Sequence, residues 1–317
     1  MSTDLIKPTG SALPLLRQTL SGSTMGTRYS CVFYVRQGMK LEALAAALFQ
    51  AVDRIDRQMS TWKPESDLNR LNAAPIDTWI EVPSELMTVL AASLRIGRTT
   101  EGAFDIGVGD IVSAWGFGAS AARTDQARKP VAMQTPRPIT THVLELDEAG
   151  GKVRKTAPLQ LDLSGIAKGY GVDEMARVMN QFAIPAWLVG IDGEMRAKGL
   201  KPDGVAWAVA HERPDRNIRE AMGVIELTDM AVATSGNYRH WIEVDGRILS
   251  HTMSGRSGGP IDNSISSVTV LAPTCMAADA WATAFMVMGV DAGTKTAKTL
   301  GMDVIFVLGD GEVTSTL

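Results

Sequence analysis

The chain has 317 residues, of which 45% are hydrophobic and 21% charged, ordinary globular material long enough for one large domain or two small ones. Its formal net charge of −4 is spread without long runs of one sign, so it offers no basic footprint for nucleic acid. Its two cysteines, Cys31 and Cys275, lack CxxC spacing, which argues against zinc and reads as two buried thiols.

Residues 1–22 read as an extended, poorly ordered lead. The first twenty hold Lys7 and Arg17 and no continuous apolar run, which matches neither a signal peptide nor an anchor, and no later stretch approaches a spanning segment. The expectation is a chain that does not insert into membranes, either cytoplasmic or a mature exported form. Thr27–Val35, rich in aromatic and β-branched residues, predicts a strand. Leu41, Leu44, Leu48, Val52, Ile55 and Met59 mark a long amphipathic helix. Residues 60–82, with Pro64 and Pro75, read as irregular, and Pro83-Ser84 opens a helix to about Thr100. Glycines 102, 107, 109, 116 and 118 then punctuate a loop region, and the polar, proline-containing residues 119–142 read as a surface insertion.

In the second half, Leu159–Leu163 predicts a short strand, followed by a helix whose apolar face is Val172, Met175, Ala176 and Met179. Strands are expected at Trp187–Ile191, Val205–Ala210, Ser267–Leu271 and Val304–Leu308, and helices at Met276–Met288 and Ala292–Leu300. Ala233–Tyr238 reads as a polar loop before a hairpin, His240–Val244 and Arg247–His251 around Asp245-Gly246. Hairpins mixed with helices argue for an α+β or mixed α/β fold, not a doubly wound one.

Two distant segments carry the chemistry. Asp162-Leu-Ser-Gly-Ile-Ala-Lys168-Gly-Tyr combines an acid in an apolar stretch with a glycine turn that opens a helix. A buried carboxylate needs partners, and a glycine turn lets backbone approach a phosphate. Two readings stay open for Asp162, a helix cap or a carboxylate facing a ligand. Lys168 opposes the macrodipole at a helix start, so an anion nearby is expected. Asp279 and Thr283 stand at i and i+4 on one face of an alanine-rich helix and offer oxygens to a hard cation such as Mg²⁺. Thr234 and Ser235 can bond phosphate oxygens. His251 suits a general base or a phosphate contact, and Arg256 a bidentate anion contact or an ion pair.

Taken in order, Met25-Gly-Thr, Met59-Ser-Thr-Trp62, Ser66-Asp-Leu-Asn-Arg-Leu-Asn72, Gly102-Ala-Phe-Asp105, Trp115-Gly-Phe117, Asp162–Tyr170, Asp192-Gly193, Ala233–Tyr238, His251, Arg256-Ser-Gly258 and Ala278–Thr283 form a recognisable set. From about residue 23 to 309 the chain resembles the ApbE-type FAD:protein FMN transferases. The resemblance implies a single domain over 23–317 with a T-fold-like core of mixed or antiparallel sheets and flanking helices. It implies enzymes that bind FAD with magnesium, cut its pyrophosphate, attach FMN by a phosphoester to a Thr or Ser of a target flavoprotein, and release AMP.

By the same resemblance Met25, Trp62, Ala103, Phe104, Asp105, Asp162 and Lys168 lie against FAD. The Gly165 carbonyl, the Asp279 carboxylate and the Thr283 hydroxyl hold magnesium. Thr234, Ser235, Thr252 and Arg256 join the ligand-binding set, and His251 acts with Asp279 in catalysis. Relatives are usually periplasmic, and some serve respiratory maturation, including a branch that flavinylates a membrane regulator needed by nitrous-oxide reductase. A membrane-bound respiratory protein is therefore one candidate target. The family loop His-Ile-Ile-Asp-Pro-Arg-Thr-Gly here reads His251-Thr-Met-Ser-Gly-Arg-Ser-Gly258, so Ser254 and Gly255 replace Asp and Pro and a looser loop is expected. Two alternatives remain at this stage, an FAD carrier without transfer activity and a pyrophosphatase that yields FMN and AMP.

Overall fold

The computed structural model describes residues 15–118, 137–238, 241–244 and 247–317. It opens with a hairpin. β1 (Leu15–Thr24) and β2 (Thr27–Arg36) pair antiparallel along their whole length. Met25 and Gly26, at φ 47° and 70°, make the turn, a backbone combination whose twist suits two-residue hairpins. The lead expected to run to residue 22 therefore gives way to sheet at Leu15. β1 needs no apolar run because it is an edge strand with mostly solvent-facing side chains. Residues 1–14 of that lead lie outside the described residues.

Helix α1 (Glu42–Met59) follows, with Leu44, Leu48, Val52 and Ile55 buried at the expected spacing. The segment 60–82 is more ordered than its prolines suggest. Ser66 caps α2 (Asp67–Ala73) by accepting from the Asn69 N–H, and Leu68 and Leu71 bury that helix. After β3 (Ile80–Glu81) and α3 (Ser84–Thr99), the glycine-rich region contains a short helix, α4 (Gly109–Ala114). Of the insertion expected over 119–142, residues 119–136 lie outside the described residues. A single turn, α5 (Thr140–Val143), then leads into the hairpin of β4 (Leu144–Asp147) and β5 (Lys152–Lys155), which pairs with β3.

The remaining elements are α6 (Ala167–Gln181), β6 (Trp187–Ile191), β7 (Glu194–Lys198), β8 (Trp207–Glu212), β9 (Ala221–Leu227), β10 (Ala231–Gly236), β11 (Trp241–Val244), β12 (Arg247–Ser250), β13 (Met253–Ser254), β14 (Gly259–Pro260), β15 (Ile265–Ala272), α7 (Cys275–Met288), α8 (Val290–Leu300), β16 (Asp303–Leu308) and β17 (Val313–Ser315). The strand expected at Val205 begins two residues later, after a turn closed by Asp203. The polar loop expected at 233–238 is largely strand β10, because its hydroxyl side chains face a cavity instead of bulk water. β11 and β12 form the expected hairpin, whose turn Asp245-Gly246 lies outside the described residues.

Eight strands form one sheet in the order β1-β2-β6-β7-β10-β15-β16-β17, every neighbouring pair antiparallel. This is the mixed α/β architecture expected. Side chains alternate across it. Phe33, Val189 and Ile191 pack under α1 and α6, while Val268, Val270 and Phe306 pack under α7 and α8. Ala197 and Val232 point the other way, onto Trp207, Val209 and Leu227 of the separate β8–β9 ribbon.

Leu159–Leu163 is not a strand. Its leucines are buried, but among the described residues no strand pairs with it. The Asn72 amide substitutes for one, donating to the Leu161 carbonyl (2.9 Å) and accepting from the Leu161 N–H (2.7 Å). The loop 106–109 takes neighbouring groups, Asp162 N–H to the Ile106 carbonyl at 2.8 Å and Gly109 N–H to the Gln160 carbonyl at 2.9 Å. Asn72→Ala should strand both buried Leu161 groups and cost about 2–4 kcal/mol. Urea unfolding checks this through a lower midpoint at unchanged slope.

Candidate functional site

Two helices meet at their N-termini and cap each other. At the start of α7, Asp173 from α6 accepts from the Cys275 and Met276 N–H groups, both at 2.9 Å. At the start of α6, Asp279 from α7 accepts from the Gly169 N–H at 2.9 Å through Oδ2. Each carboxylate thus sits on the positive end of the other helix. The crossing is close enough that a Cβ on Gly169 would lie 2.4 Å from the Cys275 carbonyl oxygen and 2.8 Å from Asp279 Cβ. One turn further along α7, Thr283 stands against Gly165, where a Cβ would fall 2.9 Å from Thr283 Oγ1. Ser235 Oγ lies 3.1 Å from the same hydroxyl.

Asp279 is 4% exposed, and its pKa is pushed up to about 7. Burial is the main cause and the Glu194 charge the next, with Lys168 and the Gly169 N–H opposing. Lys168 answers the charge mismatch that the sequence raised. Its ammonium lies 2.8 Å from Glu194 Oε1 and 3.7 Å from Asp192 Oδ2. Burial disfavours its charge, yet Glu194, Asp279 and Asp192 outweigh that and raise its pKa above the ordinary lysine value. Glu194 Oε2 is buried without a hydrogen-bond partner.

A cavity of about 490 Å³ runs through this region, within the usual size range of small-molecule sites. It exists because the sheet splits. β10 pairs with β7 only at Ala231 and Val232, but stays paired with β15 as far as Gly236. On the helix side of the split the lining includes Asp162, Gly165, Lys168, Asp279 and Thr283, and on the ribbon side Val209, His211, Ile225 and Thr234.

The fold brings together most of the residues singled out in the sequence. Ala103, Phe104, Asp105, Ser235, His251 and Thr252 also line the cavity. Asp162 Oδ1 accepts from the Ser164 N–H at 2.8 Å, so it caps the turn before α6, not the helix itself. Asp105 is tied down by the Gly107 N–H at 2.8 Å and by the Thr140 hydroxyl. The His251 ring lies 6.2 Å from the Phe117 ring, centroid to centroid. Ser254, where the family has Asp, holds the turn. Its Oγ accepts from the Ser257 N–H at 3.3 Å, and its carbonyl from the Gly258 N–H at 2.9 Å.

Three expected ligand contacts lie outside the cavity lining. Met25 packs into the two helix-side cores, with Gly171 beside its Cε. Trp62 is 65% exposed beyond the end of α1. Arg256 donates to the Glu101 carbonyl at 2.9 Å. Sequence reasoning missed Glu194 and His211 altogether. Glu194 follows the Asp192-Gly193 turn, whose Asp192 has φ 56° and closes the tight β6–β7 hairpin. That tight turn was the available signal. His211 carried none, lying in a strand of alternating residues.

The ApbE family model matches residues 25–306. A protein of Vibrio cholerae serotype O1 named FAD:protein FMN transferase is 37% identical over 301 residues, 94% of this chain and 90% of its own length. Among solved structures, the flavin transferase ApbE from Vibrio cholerae superposes with a TM-score of 0.82 at 35% identity, covering 95% of this chain and 97% of that one. The apo flavinyl transferase ApbE of Pseudomonas stutzeri gives 0.83 at 31% identity, covering 97% and 96%.

Two outcomes follow from the helix crossing. Gly169→Ala should push α6 off α7 and cost roughly 1–3 kcal/mol, read as a lower denaturation midpoint. Asp279 binds its proton more tightly folded than unfolded, so its contribution to stability is full below about pH 4 and disappears as pH rises through about 7. In chelator-treated protein the thermal midpoint should carry a downward component across that window, and Asp279→Asn should remove it.

Proposed function

The chain belongs to the ApbE family, and from that premise we propose that it transfers FMN from FAD to a Thr or Ser hydroxyl of a target protein, releasing AMP. The observation that carries the reading is the buried Asp279 carboxylate facing one cavity with Thr283 and Gly165. These three would supply carboxylate, hydroxyl and carbonyl oxygens, a hard donor set suited to Mg²⁺, which keeps several waters and takes phosphate oxygens from its substrate. Among the described residues no group of three or more His, Cys, Asp or Glu competes as a metal site. Magnesium bound there would neutralise charge on the pyrophosphate oxygens.

The chain's own residues do the rest. Asp279 Oδ2 is held by the Gly169 N–H, which fixes the carboxylate and leaves Oδ1 for a ligand. Lys168, charged at all physiological pH values, brings a cation beside the same carboxylate. His251, in the cavity wall, accepts the proton of the acceptor hydroxyl. The acceptor oxygen forms a bond to the FMN phosphorus, the bond from that phosphorus to the bridging oxygen breaks, and AMP departs with that oxygen. Target flavoproteins anchored in a membrane fit this reading, as does a periplasmic setting, on the family resemblance alone. No described helix is long and apolar enough to cross a membrane. Cell fractionation that places the protein wholly in the cytoplasm would overturn the periplasmic part.

Incubation with FAD, Mg²⁺ and an acceptor protein should add one FMN to the acceptor by mass and release AMP in equal amount. Asp279→Ala should reduce transfer to background, and an unchanged rate would refute the metal assignment. His251→Ala should keep FAD affinity and lower kcat about 10²–10⁴-fold. AMP accumulating with free FMN and no adduct would point instead to a hydrolase.

A further inference from the structure

The ribbon-side half of the cavity contains a polar chain that the transfer chemistry does not use. Thr234 Oγ1 lies 2.8 Å from Thr269 Oγ1, its cross-strand partner, and Thr269 Oγ1 lies 3.1 Å from His211 Nε2. Thr269 is fully buried and His211 nearly so, while Thr234 and His211 both line the cavity. Burial lowers the His211 pKa, so the imidazole is neutral at physiological pH. Among the described residues its Nδ1 has no hydrogen bond, and it is not sealed from solvent. Apolar lining on this side comes from Met195, Val209, Ile225 and Val232, with Glu212, Arg219 and Glu220 as charged members of the same lining.

With the single Thr269 hydroxyl proton used inside the chain, which leaves no buried donor unpaired, the chain of three has two polarities. In one, Thr234 donates to Thr269 and Thr269 donates to Nε2. His211 then presents an Nδ1–H donor to the cavity and Thr234 an oxygen acceptor. In the other, Nε2–H donates to Thr269 and Thr269 donates to Thr234. His211 then presents an Nδ1 acceptor and Thr234 a hydroxyl donor. Either way the cavity meets one donor and one acceptor, coupled through a hydroxyl no ligand can reach.

We propose that His211 and Thr234, coupled through Thr269, form a donor–acceptor pair that recognises the edge of a flat heterocycle in the ribbon-side half of the cavity, making His211 a specificity residue for the dinucleotide. Adenine and the flavin ring system share this chemistry, a ring edge that alternates donor and acceptor between two apolar faces. The apolar walls take the faces and the pair takes the edge. The inference rests on the dinucleotide reading above.

The test uses flavin fluorescence titration, competition by AMP and by FMN, and transfer kinetics. Thr269→Val removes the link without touching the ligand, and His211→Phe keeps the ring without its nitrogens. Each should weaken FAD binding about 3–10-fold, the range of one or two net hydrogen bonds, and raise KM with little change in kcat. Thr269→Ser should restore wild-type affinity. Thr269→Val should add nothing to His211→Phe, because the three act as a unit. Only one of AMP and FMN should lose affinity in the variants, which identifies the ring held. Wild-type affinity for FAD, AMP and FMN in both folded variants would overturn the inference and leave the transfer reading intact. A wild-type chain that binds none of the three would overturn both.

Discussion

The site depends on the contact between Gly169 and Asp279. A carboxylate with almost no exposure is unfavourable unless something stabilises its charge. Here the backbone of a helix N-terminus does so, and the helix that carries Asp279 is in turn capped by Asp173 from the first. Neither cap can form unless the two helices touch, and they touch only because residue 169 has no side chain. The Arg196–Asp173 pair at 2.7 Å and the Lys168–Glu194 pair then tie α6 to β7. Helix packing, charge and ligand geometry are therefore fixed by one crossing.

A second constraint comes from the sheet. A continuous antiparallel sheet would wall off the helix layer from the ribbon layer. The short β7–β10 pairing prevents this, since β10 parts from β7 beyond Val232, where only Glu194 of β7 is left before the tight Asp192-Gly193 turn. Backbone groups of β10 beyond that point keep β15 on one side and face the cavity on the other. That explains why a strand carries the sequence Ala-Thr-Ser-Gly, which by composition resembles a loop. Small hydroxyl residues serve a strand whose edge meets a polar ligand space.

This is also where the sequence was hardest to read. Periodicity placed α1 and α6 because apolar stripes record burial against a sheet, and the Pro83-Ser84 start signal placed α3. The 60–82 and 159–163 segments were misjudged because their order comes from single side chains, the Ser66 cap and the Asn72 amide, not from a repeating pattern. Motif order identified the cavity residues on the helix side. Met25, Trp62 and Arg256, carried over by resemblance, sit away from the cavity lining, a placement that spacing along a chain does not record. His211 was invisible for a related reason, and Glu194 was marked only by the tight turn before it. An acid or histidine in an alternating strand looks like an outward residue until the sheet is known to be covered on both faces.

The two halves of the cavity differ in what they can contribute to rate. Groups on the helix side act where charge moves during phosphoryl transfer, so their interactions strengthen between the bound state and the transition state. In the proposed reaction, groups on the ribbon side would face a part of the ligand whose charge does not change as the pyrophosphate bond breaks. Contacts there strengthen substrate and transition state equally, and so govern which molecule is held, not how fast it reacts. The split sheet separates these tasks onto opposite faces of β10. Thr234 and Ser235, adjacent in sequence, turn to different faces and join different networks, one toward His211 and one toward Thr283. On the proposed reading, one strand would thus set the distance between the recognised ring and the reacting phosphorus, so a shift in its register would uncouple recognition from chemistry even with every side chain present.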